Sequence, residues 1–598
     1  MMSFLKKHAV ILPVAFSVAL FMLLPQILYT RTLGGDYRGI PRFVNDDAWY
    51  YLTRARDVID GYPSLGNPYF AEHKTKPSVL VSLLDVLEAK PLGWLGIEVP
   101  DGFLFWISFF NFLNAVLIYA AVFLLTRSRL AGILAAAFLF LGMFVHSFNR
   151  PTSNSATTPF WIAEFMLLLL FLRARHRSWP VFTANVLGLG ILFYIYPYFW
   201  SFYLALFLVL SALWYFLHKL FSRRTEWSLI ARLRSWFGSA GDEDPPSSYS
   251  PKYLLGVMGC ALIVAIPYFL NLREASQLPE FGETFRRDGG LVSHFPAGIL
   301  IVLPAGALLG VSWLLLRLRI ITYTKEVLLI ASGLIAVIGV TNQHILTGKH
   351  IEPSLHYFDI GMMWSTFAAS YLASCIARRL RSGAQKFFII LCIGIVMAFV
   401  GYSLLGHARS YGVIYESERN IQRYRPALDW LASAIGRDDV VLANETLSAL
   451  IPMYTAANVL FDRNANHFFV SDKEVRERFL LNHYFDAVDE NFLRARERSL
   501  WGVQYIDAGG HARQQNKLRK LLRLPLKSVP VLPVDEIEGA LSSFRELQER
   551  SFEAELRRYN VRWIVWDVMH DPHWAEANSL SFLDMVQEVD GVAIFRLH

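Results

Sequence analysis

The stretch Asn45-Asp46-Asp47-Ala48-Trp49-Tyr50-Tyr51 comes about fifteen residues after an uninterrupted apolar run over residues 8–30. Such a run is long enough to cross a lipid bilayer as a helix. The two adjacent carboxylates therefore stand near the mouth of a membrane domain, where an acidic group is costly unless it is solvated, paired or used. Asp46 and Asp47 are the first candidates for chemistry in this chain.

The composition predicts a membrane protein. Of the 598 residues, 54% are hydrophobic and 15% are aromatic, which is too apolar for an ordinary soluble enzyme. The formal net charge is +7, but the Lys and Arg residues lie in short clusters between apolar runs. This distribution argues against nucleic-acid binding and is typical of membrane topology. Cys260, Cys375 and Cys392 fall inside predicted spans, so they predict neither a disulfide framework nor a zinc site.

The chain is predicted to cross the membrane about eleven times. All Lys and Arg clusters then fall on one side, which the positive-inside rule assigns to the cytoplasm. One missed span would place half of the clusters on the wrong side. We therefore expect a multi-pass protein of the plasma membrane with a cytoplasmic N-terminus and an uncleaved first span. The predicted spans lie near residues 8–30, 103–125, 130–147, 159–172, 180–196, 198–217, 252–271, 296–316, 326–342, 359–377 and 386–405.

The predicted fold is mainly α, with two domains. Residues 1–405 form a helical membrane bundle with a long first outer loop over residues 31–102, and residues 406–598 form an extracytoplasmic α/β domain. A helix is predicted at Pro426–Leu431, and strands alternate with helices in this tail. The tail has no G-x-G-x-x-G after a strand, no P-loop and no G-x-S-x-G, so we expect a supporting or acceptor-docking domain. The predicted strands are Asp439–Ala443, Val503–Asp507, Val561–Asp567 and Gly591–Leu597.

The first outer loop is predicted to contain an amphipathic helix over Ala48–Ile59 that lies on the outer membrane surface. Arg54, Arg56 and Asp57 are expected on its polar side. One aspartate would suffice to cap this helix, so two in tandem indicate at least one functional carboxylate, although capping alone stays the alternative. The predicted apolar stripe consists of Tyr51, Leu52, Ala55, Val58 and Ile59.

A carboxylate at this place could deprotonate an acceptor hydroxyl as a general base. It could instead hold a divalent cation such as Mg²⁺ or Mn²⁺, with Asp46 and Asp47 as the ligands. Lys74 brings positive charge into the same loop. Its side chain could contact a phosphate or belong to a solvated basic turn.

The run Asp46-Asp47-Ala48-Trp49-Tyr50-Tyr51-Leu52-Thr53-Arg54-Ala55-Arg56 behind a first span resembles the GT-C superfamily of integral membrane glycosyltransferases. These include oligosaccharyltransferase catalytic subunits and protein O-mannosyltransferases. The resemblance implies transfer of a sugar from a polyprenyl-phosphate donor to a glycan, lipid or protein on the extracytoplasmic side, with inversion. It also implies that Asp46 and Asp47 are catalytic or metal-binding. Tyr50, Tyr51 and Arg54 are accessory candidates.

Two departures from oligosaccharyltransferases stand beside this resemblance. The outer turn Asn149–Thr158 carries Arg150 but no carboxylate, where those enzymes have a second acidic motif. The tail also lacks their W-W-D motif, so neither transfer to asparagine nor strict metal dependence is implied. Glu164 could supply the missing carboxylate, or it could be a glutamate that packs between helices.

Cationic and histidine side chains of two further outer loops are candidates for binding a lipid-linked phosphate. A hydrogen-bonded structural loop, a solvated charged loop and a metal site are the alternatives, although the histidine spacing matches no standard zinc pattern. The aromatic turn Tyr194–Trp200 is expected to be a membrane-interface belt or a sugar-stacking surface. We expect Lys349 and His350 to face the same cavity as the two aspartates. The phosphate-binding candidates are Arg150, Arg286, Arg287, His344, Lys349, His350 and His356.

The alternative function is a non-catalytic membrane scaffold, or a carrier for surface polysaccharide or lipid. Transporters usually show inverted repeats and broken spans near the bilayer centre. This sequence shows no internal repeat, and its acids and histidines lie at one lip of the predicted bundle. The sequence therefore favours the enzyme over the transporter, and leaves the scaffold open.

Overall fold

The computed structural model describes residues 7–43, 47–80, 82–174, 178–222, 251–350 and 356–598. Asp46 lies outside these residues, as do residues 351–355 of the histidine-rich loop. The chain is mainly helical and ends in a smaller α/β part, which confirms the predicted fold class. In the described part of residues 7–411 the helices are α1 (Ile11–Leu33), α2 (Asp47–Ile59), α3 (Leu83–Leu95), α4 (Val99–Thr126), α5 (Arg129–Ala137), α6 (Thr158–Arg173), α7 (Trp179–Leu192), α8 (Pro197–Ser222), α9 (Pro251–Val264), α10 (Ile266–Ser276), α11 (Phe281–Arg287), α12 (Ile299–Arg317), α13 (Lys325–Thr341), α14 (His344–Thr347), α15 (His356–Arg379) and α16 (Ser382–Tyr411).

Seven helices among the described residues are long and apolar enough to cross a membrane, and α9 with α10 is an eighth candidate bent by 56°. Arg129–Met143 and α7 are apolar but shorter, and α6 has 16 residues. Every predicted span coincides with helix in the structure. The number of crossings, about eleven, stays a prediction.

The bundle has two chemically different ends. At one end, which we call the basic end, Arg378 donates to the carbonyl oxygen of Thr126, Arg173 pairs with Glu326 at 2.9 Å, and Lys325 donates to Leu172 O at 2.8 Å. Helix α4 runs from Val99, which packs with the tail, to Thr126 at the basic end. We call the Val99 end the loop end, because the first loop and the tail lie there.

The tail folds around a mixed five-stranded sheet with strand order β4-β3-β5-β7-β6. Strand β3 is parallel to β4 and β5, whereas β7 is antiparallel to β5 and β6. A separate two-stranded hairpin, β1 with β2, lies among the loops of the bundle. The strands are β1 (Leu291–Val292), β2 (Lys349–His350), β3 (Val440–Ala443), β4 (Asn458–Val459), β5 (Val561–Asp567), β6 (Leu583–Val589) and β7 (Val592–Leu597).

Three of the four predicted strands are confirmed by β3, β5 and β7, and the predicted helix at Pro426–Leu431 is confirmed as well. The strand predicted at Val503–Asp507 is wrong, because all but the first of these residues belong to an 18-residue helix. The five residues match a strand pattern, but residues 512–521 further on are rich in Ala, Arg, Gln, Lys and Leu, which favour a helix. The tail helices are α17 (Glu416–Asn420), α18 (Arg425–Ala434), α19 (Glu445–Tyr454), α20 (Asp472–Asn482), α21 (Glu490–Ala495), α22 (Glu497–Trp501), α23 (Gln504–Leu521), α24 (Val534–Gln548) and α25 (Phe552–Arg558).

The first loop and the tail share one hydrophobic core, separate from the core of the membrane bundle. Leu52 and Phe70 of the loop pack in this core with Leu428 and Val441 of the tail. Polar contacts join the same two parts, such as Arg478 to Glu72 at 2.9 Å. The first loop is therefore as much a part of the tail as of the bundle.

Helix α2 begins and ends close to the predicted bounds, and Tyr51, Leu52, Ala55 and Val58 of its apolar stripe are buried. The prediction that this helix lies on the membrane surface is wrong, because Arg54 and Asp57 on its predicted polar side are only 1% and 4% exposed. The helix is enclosed by α3, by α19 and by the tail core. A polar side that finds buried partners cannot be told from a solvated one by periodicity alone.

Candidate active site

Asp47 and Arg150 form the ion pair around which the site is built. Asp47 is the first residue of α2, and Nη1 of Arg150 donates to its Oδ2 at 2.6 Å. The carboxylate is 45% exposed and the guanidinium 13% exposed. The Nε of Arg150 is buried and has no hydrogen-bond partner among the described residues. The pair thus presents a solvent-accessible carboxylate beside a mostly enclosed cation.

Side chains of helix α4 hold the turn that carries Arg150. Asn111 Nδ2 donates to Phe148 O at 3.0 Å, and Asn114 Nδ2 donates to Ser155 O at 2.7 Å. Ser155 Oγ in turn donates to the carbonyl oxygen of Arg150 at 2.9 Å. These bonds satisfy buried backbone groups, which would otherwise be costly. They also fix the point from which the guanidinium reaches Asp47.

Tyr51 lies next to this pair, one turn into α2. Burial raises the pKa of Tyr51, and the positive charge of Arg150 acts against that rise. The pKa of Arg150 lies above its usual value although burial opposes this, since Tyr51, Tyr196, Asp47 and Asp359 favour its charged form. Arg150 is therefore a permanent cation among acidic and phenolic groups.

His356, Tyr196 and Asp359 form the second half of the cluster. Tyr196 OH and His356 Nδ1 are hydrogen-bonded, and the His356 ring stacks on Tyr198 with centroids 4.6 Å apart. Asp359 lies in the first turn of α15, one turn after His356, and acts electrostatically on Arg150. The starts of α2, α8 and α15 and the Arg150 turn thus meet at the loop end.

Two further acidic residues support the site from α3. Arg54 is 1% exposed and pairs with the fully buried Asp85 at 2.8 Å. One turn later, Glu88 accepts a hydrogen bond from the Thr152 hydroxyl of the Arg150 turn. Burial raises the pKa of Glu88 to about 8, although the Thr152 bond acts against the rise. Helix α3 therefore links helix α2 to the Arg150 turn.

Tyr50 contributes to a different contact. Its hydroxyl accepts from Arg54 Nη1 at 2.5 Å, and its ring stacks on Phe468 with centroids 5.4 Å apart. Burial raises the pKa of the Tyr50 hydroxyl well above its usual range, and the Arg54 charge opposes this rise. Tyr50 therefore ties helix α2 to the tail, while its neighbour Tyr51 faces Arg150.

The histidine candidates divide between two places. Only His356 belongs to the cluster around Arg150. The rings of His344 and His350 stack on each other at 4.1 Å, and His350 lies 5.1 Å from His511 of the tail. Burial, followed by His344 and His511, lowers the pKa of His350 to about 4. This second group, His344, His350 and His511, is called the histidine cluster below.

Lys349 and His350 therefore do not join Asp47 in the contacts that the structure describes. They form β2, whose residues pair with Val292 and Leu291 of β1. Lys349 is exposed on this hairpin. The expected common cavity with the aspartates stays a prediction for Lys349, and for Asp46, which lies outside the described residues.

Three other cationic candidates are engaged in structural contacts. Lys74 is buried and pairs with Asp57. Arg287 is 2% exposed, pairs with Asp472 and donates to Val470 O at 2.6 Å. Arg286 is 52% exposed and pairs with the same Asp472 at 3.2 Å. Helix α11 is thus docked on the tail rather than directed at Arg150.

Glu164 is buried in α6 and packs against Gly188 of α7, where an added Cβ would lie 2.1 Å from its Oε2. Neither carboxyl oxygen has a hydrogen-bond partner among the described residues. None of its described contacts involves Asp47 or Arg150. The second carboxylate near Arg150 is Asp359 instead.

A divalent cation needs several converging oxygen ligands. Within the described ranges, no three His, Cys, Asp or Glu side chains are placed to hold one metal ion. Asp47 is matched with a guanidinium, which already neutralises its charge. The described residues therefore do not fit a divalent cation, and a cation site that uses Asp46 stays a prediction because Asp46 lies outside them.

Sequence reasoning missed Asp359, Asp85 and Glu88. Asp359 opens the predicted tenth span, and an acidic residue at the end of an apolar run was the available signal. Asp85 and Glu88 lie one turn apart in an otherwise apolar helix. That spacing puts both carboxyl groups on one face, but nothing in the sequence names Arg54 and Thr152 as their partners.

The solved structures that this chain distantly resembles include the following two. The archaeal oligosaccharyltransferase AglB from Archaeoglobus fulgidus, solved with an inhibitory peptide and a dolichol-phosphate, is 14% identical, with a TM-score of 0.45 over 95% of this chain and 70% of that chain. ArnT from Cupriavidus metallidurans, solved in the apo state, is 14% identical, with a TM-score of 0.40 over 95% of this chain and 97% of that chain.

No protein-family model and no curated protein matches the sequence. At 14% identity and TM-scores below 0.5, the two likenesses identify neither a substrate nor a reaction. Function has to follow from the site itself.

Proposed function

We propose that this protein is a membrane glycosyltransferase that moves a sugar from a polyprenyl-phosphate donor to a hydroxyl group of a glycan, lipid or protein. The reaction takes place at the loop end of the bundle, on the extracytoplasmic side. The observation that carries the proposal is the half-exposed Asp47 carboxylate beside the enclosed Arg150 guanidinium. The family resemblance of residues 46–56 supports the same reaction.

Asp47 is the general base in this proposal. Its accessible carboxylate removes the proton of the acceptor hydroxyl as the acceptor oxygen bonds to the anomeric carbon of the sugar. The bond between that carbon and the phosphate oxygen breaks, and the phosphate leaves with the electron pair. A direct displacement of this kind needs one base and inverts the anomeric carbon. Asp46, as the neighbour of Asp47, is the reserve candidate for the same role.

Arg150 and His356 bind the departing phosphate. A phosphate leaves readily once its charge is stabilised, so fixed cations and donors matter more than a strong acid. The guanidinium of Arg150 is permanently charged and suits planar, bidentate contact with phosphate oxygens. A hydrogen bond between Tyr196 OH and His356 Nδ1 fixes the position of the His356 ring. Lys349, exposed on its hairpin, is a candidate for the lipid-linked end of the donor.

The test is transfer in membranes with radiolabelled polyprenyl-phosphate sugars and lipid extract as the acceptor source, with and without a chelator. Asp47→Asn keeps the shape of the side chain and removes the base, so we expect transfer to fall by about 100- to 10,000-fold. The matched control is Asp60→Asn in the same helix region, where Asp60 pairs with Arg56 at 2.9 Å. The control is expected to keep full transfer.

Full transfer by Asp47→Asn, by Asp46→Asn and by the double variant would contradict the proposal. Normal membrane levels of each variant have to accompany the assay, because a misfolded chain would also be inactive. Loss of transfer when a chelator is added to the parent protein would show that the reaction needs a divalent cation, which the described residues do not fit.

A further inference from the structure

The tail carries a long exposed stretch that is both apolar and basic. Residues 521–531 are all exposed, and Leu521, Leu526 and Val531 are 77%, 64% and 71% accessible. Soluble surfaces rarely show a contiguous apolar patch of this kind unless it binds something. We call residues 513–534, from the second half of α23 to the start of α24, the basic arm.

The charge of the basic arm has one sign. It contains no Asp or Glu, and the next acids along the chain are Asp507 and Asp535. Uniform positive charge with aliphatic side chains between the cations is typical of segments that lie on anionic membranes. Its six cations are Arg513, Lys517, Arg519, Lys520, Arg523 and Lys527.

The basic arm has a defined shape. Asn516 Nδ2 donates to Lys527 O at 2.9 Å, and its Oδ1 accepts from Lys527 N at 2.9 Å. Arg519 Nε also donates to Pro525 O. These bonds turn the chain back beside α23. The exposed leucines are therefore held on a fixed turn of the chain.

The arm is anchored where the membrane helices end. His511 and Gln515 of α23 both bond to Ser293 Oγ, at 2.9 and 3.2 Å. Ser293 follows β1, and six residues later the apolar helix α12 begins with Ile299 and Leu300, both exposed. Exposed apolar side chains therefore continue from the membrane helix through Val292, which is 85% accessible, towards the arm.

We propose that the basic arm lies on the lipid bilayer, with its leucines at the boundary between headgroups and acyl chains and its cations on anionic phospholipid headgroups. The occupant is a lipid surface because the arm joins the membrane helices and carries charge of one sign. This proposal does not rest on the proposed enzymatic function.

The test uses the full-length protein in nanodiscs of phosphatidylcholine, alone or mixed with phosphatidylglycerol. Leu522→Cys, in a background with Cys260, Cys375 and Cys392 changed to Ser, carries an environment-sensitive fluorophore. We expect nitroxides on the acyl chains to quench this probe and aqueous iodide not to, most strongly with phosphatidylglycerol. A probe at the exposed Glu549→Cys is the control and should be quenched by iodide.

Charge is tested with Lys520→Gln/Arg523→Gln. Each cation near an anionic surface contributes roughly a fivefold factor, so the insertion equilibrium should fall roughly 25-fold. Lys473→Gln/Arg494→Gln, two exposed cations of the tail, is the matched control and should change nothing. Amide exchange of residues 521–531 can be compared in the unsubstituted protein as well, and we expect stronger protection in anionic nanodiscs than in detergent.

Equal iodide quenching at Leu522→Cys in detergent and in both nanodiscs would overturn the proposal. Equal insertion of the Lys520→Gln/Arg523→Gln variant and its control would overturn the role of anionic headgroups. If the probe in detergent becomes more buried as the protein concentration rises, the arm belongs to an interface between two copies. That result would also overturn the proposal.

Discussion

The Asp47–Arg150 pair and the histidine cluster contain the residue types that the sequence grouped into one site, yet their surroundings differ. The pair has opposite charges, and its carboxylate is 45% exposed. In the histidine cluster the rings of His344 and His350 are buried and stacked, and the pKa of His350 is lowered to about 4 chiefly by burial. The first arrangement keeps charge at an accessible place, whereas burial in the second disfavours a charge on His350.

The difference teaches that burial and neighbours decide the role of a polar residue. The His344 and His350 rings can join the β1–β2 hairpin to α23, but burial disfavours the charged form of His350 that would bind a phosphate. An ion pair at the start of a helix offers both a base and a cation. Chemistry is therefore expected at the first region and mechanical connection at the second.

The largest effect is expected from removing the cation of the first region. Arg150→Gln should lower transfer by about 100- to 1,000-fold. Removing one group that stabilises developing negative charge typically lowers a rate by that factor. His350→Gln is the matched change in the second region and should keep transfer within about threefold. The membrane assay described above measures both. Comparable losses in the two variants would erase the distinction between the regions.

A smaller effect is expected at Glu88, which supports the turn that carries Arg150. Glu88→Ala leaves the buried Thr152 hydroxyl without an acceptor, at a cost of about 1–3 kcal/mol, and should lower transfer by about tenfold through loss of Arg150 positioning. Glu88→Gln keeps an acceptor oxygen for the Thr152 hydroxyl, so its rate of transfer should stay close to that of the parent protein.

The pH dependence sharpens this prediction. The pKa of Glu88 is raised to about 8 in the folded protein, so its contribution to stability is complete below about pH 4.5 and is lost as the pH rises through about 8. The Gln variant should lack this decline. Thermal unfolding in detergent across this pH range measures it, and identical profiles for the parent and Glu88→Gln would count against the assignment.

The smallest effect is local and belongs to the histidine cluster. A histidine whose folded pKa is lowered to about 4 stabilises the folded form above its unfolded pKa of about 6.5, and that stability is lost as the pH falls towards 4. The protection factors for amide exchange at Leu291, Lys349 and His350 should therefore fall between about pH 6.5 and about pH 4. His350→Phe keeps a ring and cannot titrate, so its hairpin should respond less. An equal response in both proteins would remove His350 as the cause.

Apolar length and hydrophobic periodicity predicted most of the fold. All the predicted spans are helical, and helix α2 was placed within one residue of its observed start. The prediction of a strand at Val503–Asp507 failed because a pattern of five alternating residues is too short to distinguish a strand from the first turns of a helix. Strand β5 succeeded because its seven residues include β-branched and aromatic side chains that fit a buried sheet.

The site was predictable only in part. Asp47 and Arg150 stood out because a charge beside an apolar run calls for an explanation. Their pairing was not predictable, since 103 residues separate them. Arg54 was assigned to solvent for the same reason, because its partner Asp85 lies in another helix. Partner choice is a property of the tertiary fold, and spacing along the chain carries little information about it.

The shared core of the first loop and the tail has a consequence for biosynthesis. Helix α2 emerges from the ribosome early, whereas Leu428 and Val441, which cover it, are made after the last membrane helix. The first loop therefore keeps apolar side chains uncovered until translation is almost finished. A chain cut short after α16 would keep its membrane helices and still lack the residues that cover helix α2.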